Sequence, residues 1–308
     1  MEPGLLKSAE WPLLIDVYFF LGGVAGGAFV IATVAALLDP RRYREIVRVG
    51  YYVALLAVIP GPLILIEDLG RSSRFLHMLM VWKPSTAIGV GAVTLGPFHL
   101  KPGSPMNAGA WALVLFSACA FLAALDVFLE DRGGRSRRGL RLGIGLVGSV
   151  FGFFLAAYPG VLLGATARPL FVNAHWLGAL FLAVGASTGA AAIALVLSLM
   201  GGDRRDALAR LMGFAGFALV VELIALVLAG VTIYASGSTG VGRALGVLLA
   251  GPAALTFWLG AVAVGLLVPL FLIRKGARGM AAVVSLLILV GGFAVKYALI
   301  AAGQTVLS

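Results

Sequence analysis

The sequence predicts an all-α, polytopic membrane protein built as a bundle of eight transmembrane helices. Its 308 residues are 61% hydrophobic and only 12% charged, whereas soluble domains have about 45–50% apolar and about 25% charged residues. The mean hydropathy is +1.06. The apolar segments run for about 20 residues or more without the period-two alternation of a membrane β-strand. This composition excludes a soluble globule and a disordered chain.

Charged or glycine-containing breaks at residues 39–42, 130–134, 201–204 and 274–276 separate the apolar segments. Each segment has roughly the 20 residues that a helix needs to cross the hydrocarbon. We predict one integral membrane domain, residues 1–308, made of two four-helix bundles. The predicted spans are residues 12–38, 46–67, 108–129, 142–165, 172–200, 209–235, 244–273 and 280–302.

Lysine and arginine predict the orientation. An even number of spans puts both termini on one side, where we count seven Lys and Arg, against fifteen on the other side. The positive-inside rule therefore predicts that both termini face outward. The net charge of +10 then indicates cytoplasmic loops and contact with anionic membrane lipid rather than nucleic acid.

Metal-binding side chains are scarce. Cys119 is the single cysteine, and the three histidines are His77, His99 and His175. One cysteine allows neither a disulfide within this chain nor a cysteine-ligated cluster. Since two of the histidines lie in a loop, we expect neither haem nor a metal ion in this chain.

The predicted outer loop 68–107 is the one long connection, and long connections tend to be functional. Residues 83–92 resemble residues 101–110, both beginning with Lys-Pro. The first copy either opens a short interfacial or re-entrant helix, or the likeness is a coincidence in a chain rich in Gly and Ala.

Polar residues gather toward the outer ends of five predicted spans. Taken one by one, each fits an interfacial anchor, a snorkelling cation or a helix cap. Together they predict one polar pocket in an apolar bundle, which suits an amphipathic ligand such as a quinone. If the second helix continues, Glu67 and Arg71 have the i, i+4 spacing of an ion pair. The candidates are Asp16, Tyr18, Glu67, Asp68, Arg71, Tyr158, Arg168, Asn173, His175, Lys296 and Gln304.

Two further acids lie deeper. Glu222 is near the middle of span six, and Asp126 is in the inner part of span three. An ionisable residue inside a span is costly and suggests function. Each is either a step in a proton route from the cytoplasm or a structural group: an interhelical hydrogen bond for Glu222, an interfacial acid for Asp126.

Several motifs, in order along the chain, resemble those of the NrfD/polysulfide reductase membrane-subunit family. The acidic motif of the family is usually written DLGRPxRF, and here Ser72 and Ser73 stand where a proline is common. Arginine is more usual than Lys296 in its last span, and Lys lacks the planar fork of Arg. Residues 86–103 look like an insertion. The matching segments are 18–27, 68–76, 81–84, 104–111, 158–163, 167–171, 187–191 and 296–304.

The resemblance implies an eight-helix subunit that binds menaquinone or ubiquinone in a bacterial or archaeal cytoplasmic membrane. It also implies two partners, a ferredoxin-like iron–sulfur subunit and a molybdopterin catalytic subunit. Tyr158 matches a family tyrosine associated with the quinone.

We therefore predict a quinone-linked membrane anchor of a respiratory oxidoreductase, inactive alone. Tyr158 and His175 would bind the quinone oxygens, and the acids Asp16, Glu67 and Asp68 would accept protons. Arg71 and Arg168 would tune those acids or hold the partner. The alternatives are a subunit of a quinol:acceptor complex with multihaem cytochromes and an eight-helix secondary transporter, although polar residues here cluster toward one face rather than at the midplane.

Overall fold

The computed structural model describes residues 11–69, 71–80, 93–101, 103–134, 137–166, 168–202, 204–237, 239–276 and 278–304. Within these ranges, eight helices are long and apolar enough to cross a membrane. The predicted all-α class and the number of spans are confirmed. The side of the membrane that each terminus faces stays a prediction from charge.

The first half of the chain supplies four spans, and a long loop separates the second from the third. The second span is made of two helices, α2 and α3. The elements are α1 (Leu13–Leu38), α2 (Arg44–Val58), α3 (Pro60–Asp68), a 3-10 helix (Ser72–Met78), β1 (Val93–Leu95), β2 (Phe98–Leu100), α4 (Pro105–Asp131) and α5 (Arg138–Gly164).

The second half supplies the other four spans, with two short helices, α6 and α9, between them. A π-helix that continues into α10 forms the seventh span. The elements are α6 (Pro169–Val172), α7 (Leu177–Leu199), α8 (Arg205–Ala235), α9 (Thr239–Leu249), the π-helix (Thr256–Leu267), α10 (Val268–Arg274), a 3-10 helix (Arg278–Met280) and α11 (Ala281–Gln304).

Prolines explain two departures from the predicted spans. The predicted span 46–67 is divided at Pro60, which has no N–H to continue the helical hydrogen bonds of α2. The predicted span 244–273 begins too early, because Pro252 follows α9 in a turn. Residues 244–249 therefore belong to α9, and the seventh span starts after the turn.

Glycines let the central helix α1 approach its neighbours closely. Gly26 lies against Gly152 of α5, and an added Cβ would sit 3.1 Å from the Gly152 carbonyl carbon. An added Cβ at Gly27 would sit 2.8 Å from the carbonyl carbon of Gly185 in α7. Spans one to four and five to eight thus meet where α1 and α5 pack on α7.

The bundle has two unlike ends. We call the end where α1 stops and α2, α5 and α8 start the arginine-rich face, because those helices begin with Arg44, Arg138 and Arg205. We call the other end, where α1 starts and α11 stops, the outer face, following the charge prediction.

Asn107 at the start of α4 fastens the long outer loop. Its Nδ2 donates to the carbonyl of Met78 at 2.6 Å and lies 3.4 Å from His99 Nε2. Its Oδ1 accepts the N–H of Lys101 at 2.8 Å. The indole of Trp111 donates to the His99 carbonyl at 2.9 Å. The predicted interfacial or re-entrant helix at 83–92 lies outside the described residues.

Candidate functional site

Three side chains are buried near the outer face, and we refer to them together as the outer acid–tyrosine cluster: Asp16, Tyr18 and Tyr158. Their exposed fractions are 3%, 4% and 5%. The first two stand in the first turns of α1, and Tyr158 stands in the last two turns of α5. The two tyrosines are near enough to interact electrostatically. The structure thus buries three predicted site residues near the outer face and brings the two tyrosines close together.

Two glycines make room for the tyrosine rings. An added Cβ at Gly61 of α3 would sit 3.3 Å from Cε2 of Tyr18, and one at Gly109 of α4 would sit 2.5 Å from the hydroxyl of Tyr158. Four helices therefore meet at the cluster: α1, α3, α4 and α5. Sequence analysis missed both glycines, because neither stands in a motif that was linked to the tyrosines.

Asp16 carries an unsatisfied buried oxygen. Its Oδ1 has no hydrogen-bond partner among the described residues, and no salt bridge reaches its carboxyl group within those ranges. The indole nitrogen of Trp11, two residues before α1, is buried and unpartnered in the same way. A buried carboxylate without a partner costs several kcal/mol. Such a group is typical of a site that receives its hydrogen bond from a ligand.

A second group lies deeper, and we call it the buried lysine cluster: Lys296, Glu222 and Ser187. Lys296 is completely buried, so the snorkelling alternative is wrong for this residue. Its Nζ donates to the Phe19 carbonyl at 2.7 Å and lies 5.0 Å from the ring centroid of Phe181.

The other two members complete the buried lysine cluster. The Ser187 hydroxyl donates to Glu222 Oε2 at 2.9 Å. The Lys296 and Glu222 charges are near enough to interact. Sequence analysis included Ser187 only in the family-like segment 187–191 and did not select it as a site residue. The signal that could have found it was a hydroxyl on the same buried face as the small residues of α7.

The two clusters are coupled through α1. Phe19, whose carbonyl holds Lys296, follows Asp16 by three residues, which is about one helical turn. Gly23 leaves space for the ammonium group, since an added Cβ would lie 2.8 Å from Nζ. Lys296 therefore fixes the segment of α1 that carries Asp16 and Tyr18.

Arg168 and Gln304 bind parts of the chain itself. The Nη1 of Arg168 donates to the carbonyls of Gly303 at 3.2 Å and Gln304 at 2.7 Å, at the end of α11. The side chain of Gln304 binds the backbone of Trp11: its Oε1 accepts the backbone N–H at 3.0 Å, and its Nε2 donates to the carbonyl at 3.1 Å. Both predicted ligand-binding residues thus close the outer end of the bundle beside α1.

Five other predicted site residues lie outside the buried cluster. Glu67, Asp68, Arg71 and His175 are exposed. The helix α3 ends at Asp68, so the i, i+4 spacing is lost, and no ion pair joins Glu67 to Arg71 in the structure as described. Asn173 donates from Nδ2 to the Pro169 carbonyl at 2.8 Å and so caps the short helix α6.

Asp126 belongs to what we call the inner ion cluster: Asp126, Glu130 and Arg141. The Nη1 of Arg141 lies 3.4 Å from Asp126 Oδ2 and also binds Glu130. Arg141 and Asp126 are both buried. Sequence analysis counted Arg141 among the loop cations and missed this pairing. Within the described ranges, no group of three or more His, Cys, Asp or Glu could hold a metal ion.

Comparison with known proteins identifies the family of this chain. The family described as "Polysulphide reductase, NrfD" matches residues 2–308. The chain belongs to the NrfD family. The family resemblance read from the motifs is confirmed, and this NrfD chain is a multi-pass membrane protein.

Individual relatives of this NrfD chain are distant but extend over most of its length. It is 26% identical to the C subunit of the polysulfide reductase of Wolinella succinogenes, over 96% of this chain and 94% of that protein. It is 25% identical to the NrfD homolog of Haemophilus influenzae, with the same coverage of both proteins. It is 28% identical to the NrfD protein of Escherichia coli, over 86% of this chain and 85% of that one.

Proposed function

We propose that this chain is the quinone-binding membrane subunit of a respiratory oxidoreductase in a bacterial or archaeal cytoplasmic membrane. Family membership supports this, as does the name of the relative that is a polysulfide reductase subunit. The observation that carries the proposal is the buried, unpartnered oxygen of Asp16, near the outer face where Tyr18 and Tyr158 are also buried.

The donor set of the outer acid–tyrosine cluster fits a quinone head group. A quinone ring presents two carbonyl oxygens, and a quinol presents two hydroxyl groups. The Tyr18 and Tyr158 hydroxyls can each donate or accept a hydrogen bond, and the Asp16 carboxylate can accept one. Menaquinol or ubiquinol, when bound, supplies two electrons and two protons.

Each residue of the chain then has a defined task. Tyr158 orients the head group from α5, and Tyr18 orients it from α1. Asp16 takes up a proton released at the ring oxygen that it contacts, as a general base must. Lys296 is a positioning residue, because it acts through the Phe19 carbonyl on the helix that carries Asp16.

We propose that protons also cross the bundle through deeper acids. Glu222, held by Ser187, stands next along the bundle from the outer cluster. Asp126 in the inner ion cluster would be the exchange point at the arginine-rich face.

We place the partners at the outer face. A ferredoxin-like iron–sulfur subunit would accept the electrons, and a molybdopterin subunit would carry out the terminal reaction. The 3-10 helix Ser72–Met78 offers a docking surface there, since Arg71, Arg74, Phe75 and His77 are all exposed. A surface that mixes cations with apolar side chains suits an interface with an acidic rim on the partner.

The test is to purify the complex from membranes and measure electron transfer from a quinol to its iron–sulfur subunit. We expect Asp16→Asn and Tyr158→Phe to lower this rate while the complex stays assembled. Tyr297→Phe is the matched control, because Tyr297 also stands in a span but is 37% exposed. Full quinol-linked activity in both site variants would overturn the proposal.

Two outcomes would favour the other functions. Co-purification with multihaem cytochromes would favour the quinol:acceptor complex. A quinone-free chain that purifies alone and moves a solute across vesicles would favour the transporter.

A further inference from the structure

A groove of about 500 Å³ runs along the half of the bundle nearest the arginine-rich face. It lies between α1, α5, α7 and α8, and it is separate from the outer acid–tyrosine cluster. Small side chains such as Ala35 and Ala186 line it, and Phe153 and Phe214 stand at its sides with 49% and 42% exposure. The groove therefore opens toward the lipid.

The length of the groove matches one leaflet of a bilayer. Along α1 it extends from Gly26 to Leu38, which is twelve helical steps or about 18 Å at 1.5 Å per residue. Half of the hydrocarbon core is about 15 Å thick. One end of the groove thus lies near the bilayer midplane, and the other lies at the depth of the lipid headgroups.

The headgroup end of the groove is cationic. Arg210 lines the groove, and its guanidinium carbon stands 5.4 Å from the ring centroid of Tyr43. The guanidinium carbon of Arg42 lies 6.0 Å from the centroid of the same ring. Asp206 faces both cations, with its carboxylate 3.1 Å from Arg210 Nε and 3.5 Å from Arg42 Nη2. Asp39 also lies near Arg42 and Arg41. The three arginines and two aspartates together carry a net charge of +1.

We propose that the groove is a binding site for one anionic phospholipid of the leaflet at the arginine-rich face. Arg210 binds the phosphate of its headgroup, and an acyl chain fills the apolar part down to Gly26. An acyl chain fits the apolar lining and the length of the groove, and a phosphate fits the net positive charge at its headgroup end. This inference does not depend on the proposed quinone site.

The first experiment tests the headgroup contact. The protein is placed in nanodiscs of equal parts phosphatidylglycerol and phosphatidylcholine, extracted in mild detergent, and its retained lipids are quantified by native mass spectrometry. We expect wild type to be enriched in phosphatidylglycerol. Because one arginine near a lipid surface contributes about fivefold in affinity, Arg210→Gln should lower that enrichment about fivefold.

Arg274→Gln is the matched control for the headgroup experiment. Arg274 ends α10 at the arginine-rich face and is exposed, but it does not line the groove. We expect it to keep the enrichment of the wild type. Equal retention of both lipids by wild type, or equal effects of the two arginine variants, would overturn the proposal.

A second experiment tests the acyl-chain contact. Ala186→Phe places a ring in the groove, and we expect it to reduce retained lipid of both classes. Val150→Phe is the control, since Val150 is 66% exposed and does not line the groove. Unchanged lipid retention in Ala186→Phe would contradict the assignment of the groove to a phospholipid. So would a variant that loses bound quinone but retains its phospholipid.

Discussion

The inner ion cluster and the outer acid–tyrosine cluster both bury carboxyl groups inside the bundle, but their surroundings differ. Asp126 faces the guanidinium of Arg141, which also binds Glu130. Asp16 has no salt bridge within the described ranges, and its Oδ1 has no hydrogen-bond partner there. Each aspartate has one buried oxygen without a hydrogen-bond partner among the described residues, Oδ2 of Asp126 and Oδ1 of Asp16. The inner cluster compensates its charge with the Arg141 ion pair, whereas no cation of the described residues pairs with Asp16.

Burial therefore does not by itself separate a structural acid from a functional one. The two aspartates differ little in exposure, 8% for Asp126 and 3% for Asp16. They differ in whether the protein supplies the partner. Removing a partner should lower stability at the inner cluster, and removing the acid should lower activity at the outer cluster.

The largest expected effect is at the inner cluster. Arg141→Met leaves two carboxylates without their cation, and we expect a loss of about 3–5 kcal/mol in the free energy of unfolding. Unfolding in mixed detergent measures this loss, with Arg138→Met on the same helix as control. Adding Asp126→Asn should recover part of it. An unchanged stability of Arg141→Met would remove the contrast between the clusters.

The next effect is at Asp16 and should have the opposite signature. A general base contributes about 100-fold or more to a rate, so Asp16→Asn should lower quinol-linked electron transfer by at least about that factor. Its unfolding free energy should stay the same or rise, because an uncompensated charge is removed. Glu45→Gln, an exposed acid paired with Arg204, is the control. Lower stability with full activity would show that Asp16 is structural.

A smaller effect is expected for Tyr158→Phe. One hydrogen bond contributes about 0.5–1.5 kcal/mol, so the quinol KM should rise by up to about tenfold. The ring remains to fill the space beside Gly109, and stability should therefore change little. A KM equal to that of wild type would exclude the hydroxyl from the site.

The smallest effect concerns the pair of hydroxyl groups that joins Thr33 of α1 to Tyr51 of α2. Thr33 Oγ1 lies 3.1 Å from the Tyr51 hydroxyl and donates to the Phe29 carbonyl at 2.9 Å. Thr33→Val removes these bonds at similar volume, and we expect a loss of about 1 kcal/mol. The same unfolding assay measures it. If Thr33→Val lowered the free energy of unfolding as much as Arg141→Met, neutral hydrogen bonds would contribute as much to stability as the ion pairs of the inner ion cluster.

Hydropathy and motif order were enough to predict the class, the number of spans and the depth of each polar residue. They predicted that Asp16 and Tyr158 lie toward the outer ends of their spans, and the structure buries both there. Depth follows from position along a helix, which the sequence gives directly.

The direction in which each side chain points from its helix could not be predicted in the same way. The sequence grouped His175 and Glu67 with Asp16 because their depths are similar, but both are exposed. It left Lys296 and Glu222 apart, although α11 and α8 turn them toward each other. Which faces meet depends on packing between helices far apart in the chain, and a single sequence does not fix that.

The reciprocal bonds between Trp11 and Gln304 have a consequence for biosynthesis. The two residues are 293 positions apart, and translation reaches the second one nearly a full chain length after the first. The helix that carries Asp16 therefore enters the membrane long before its last contacts are made. Lys296, which also holds that helix, arrives equally late. A ribosome that stalls before the eighth span leaves an insertion product whose first helix lacks its final anchor, and quality-control proteases should remove it.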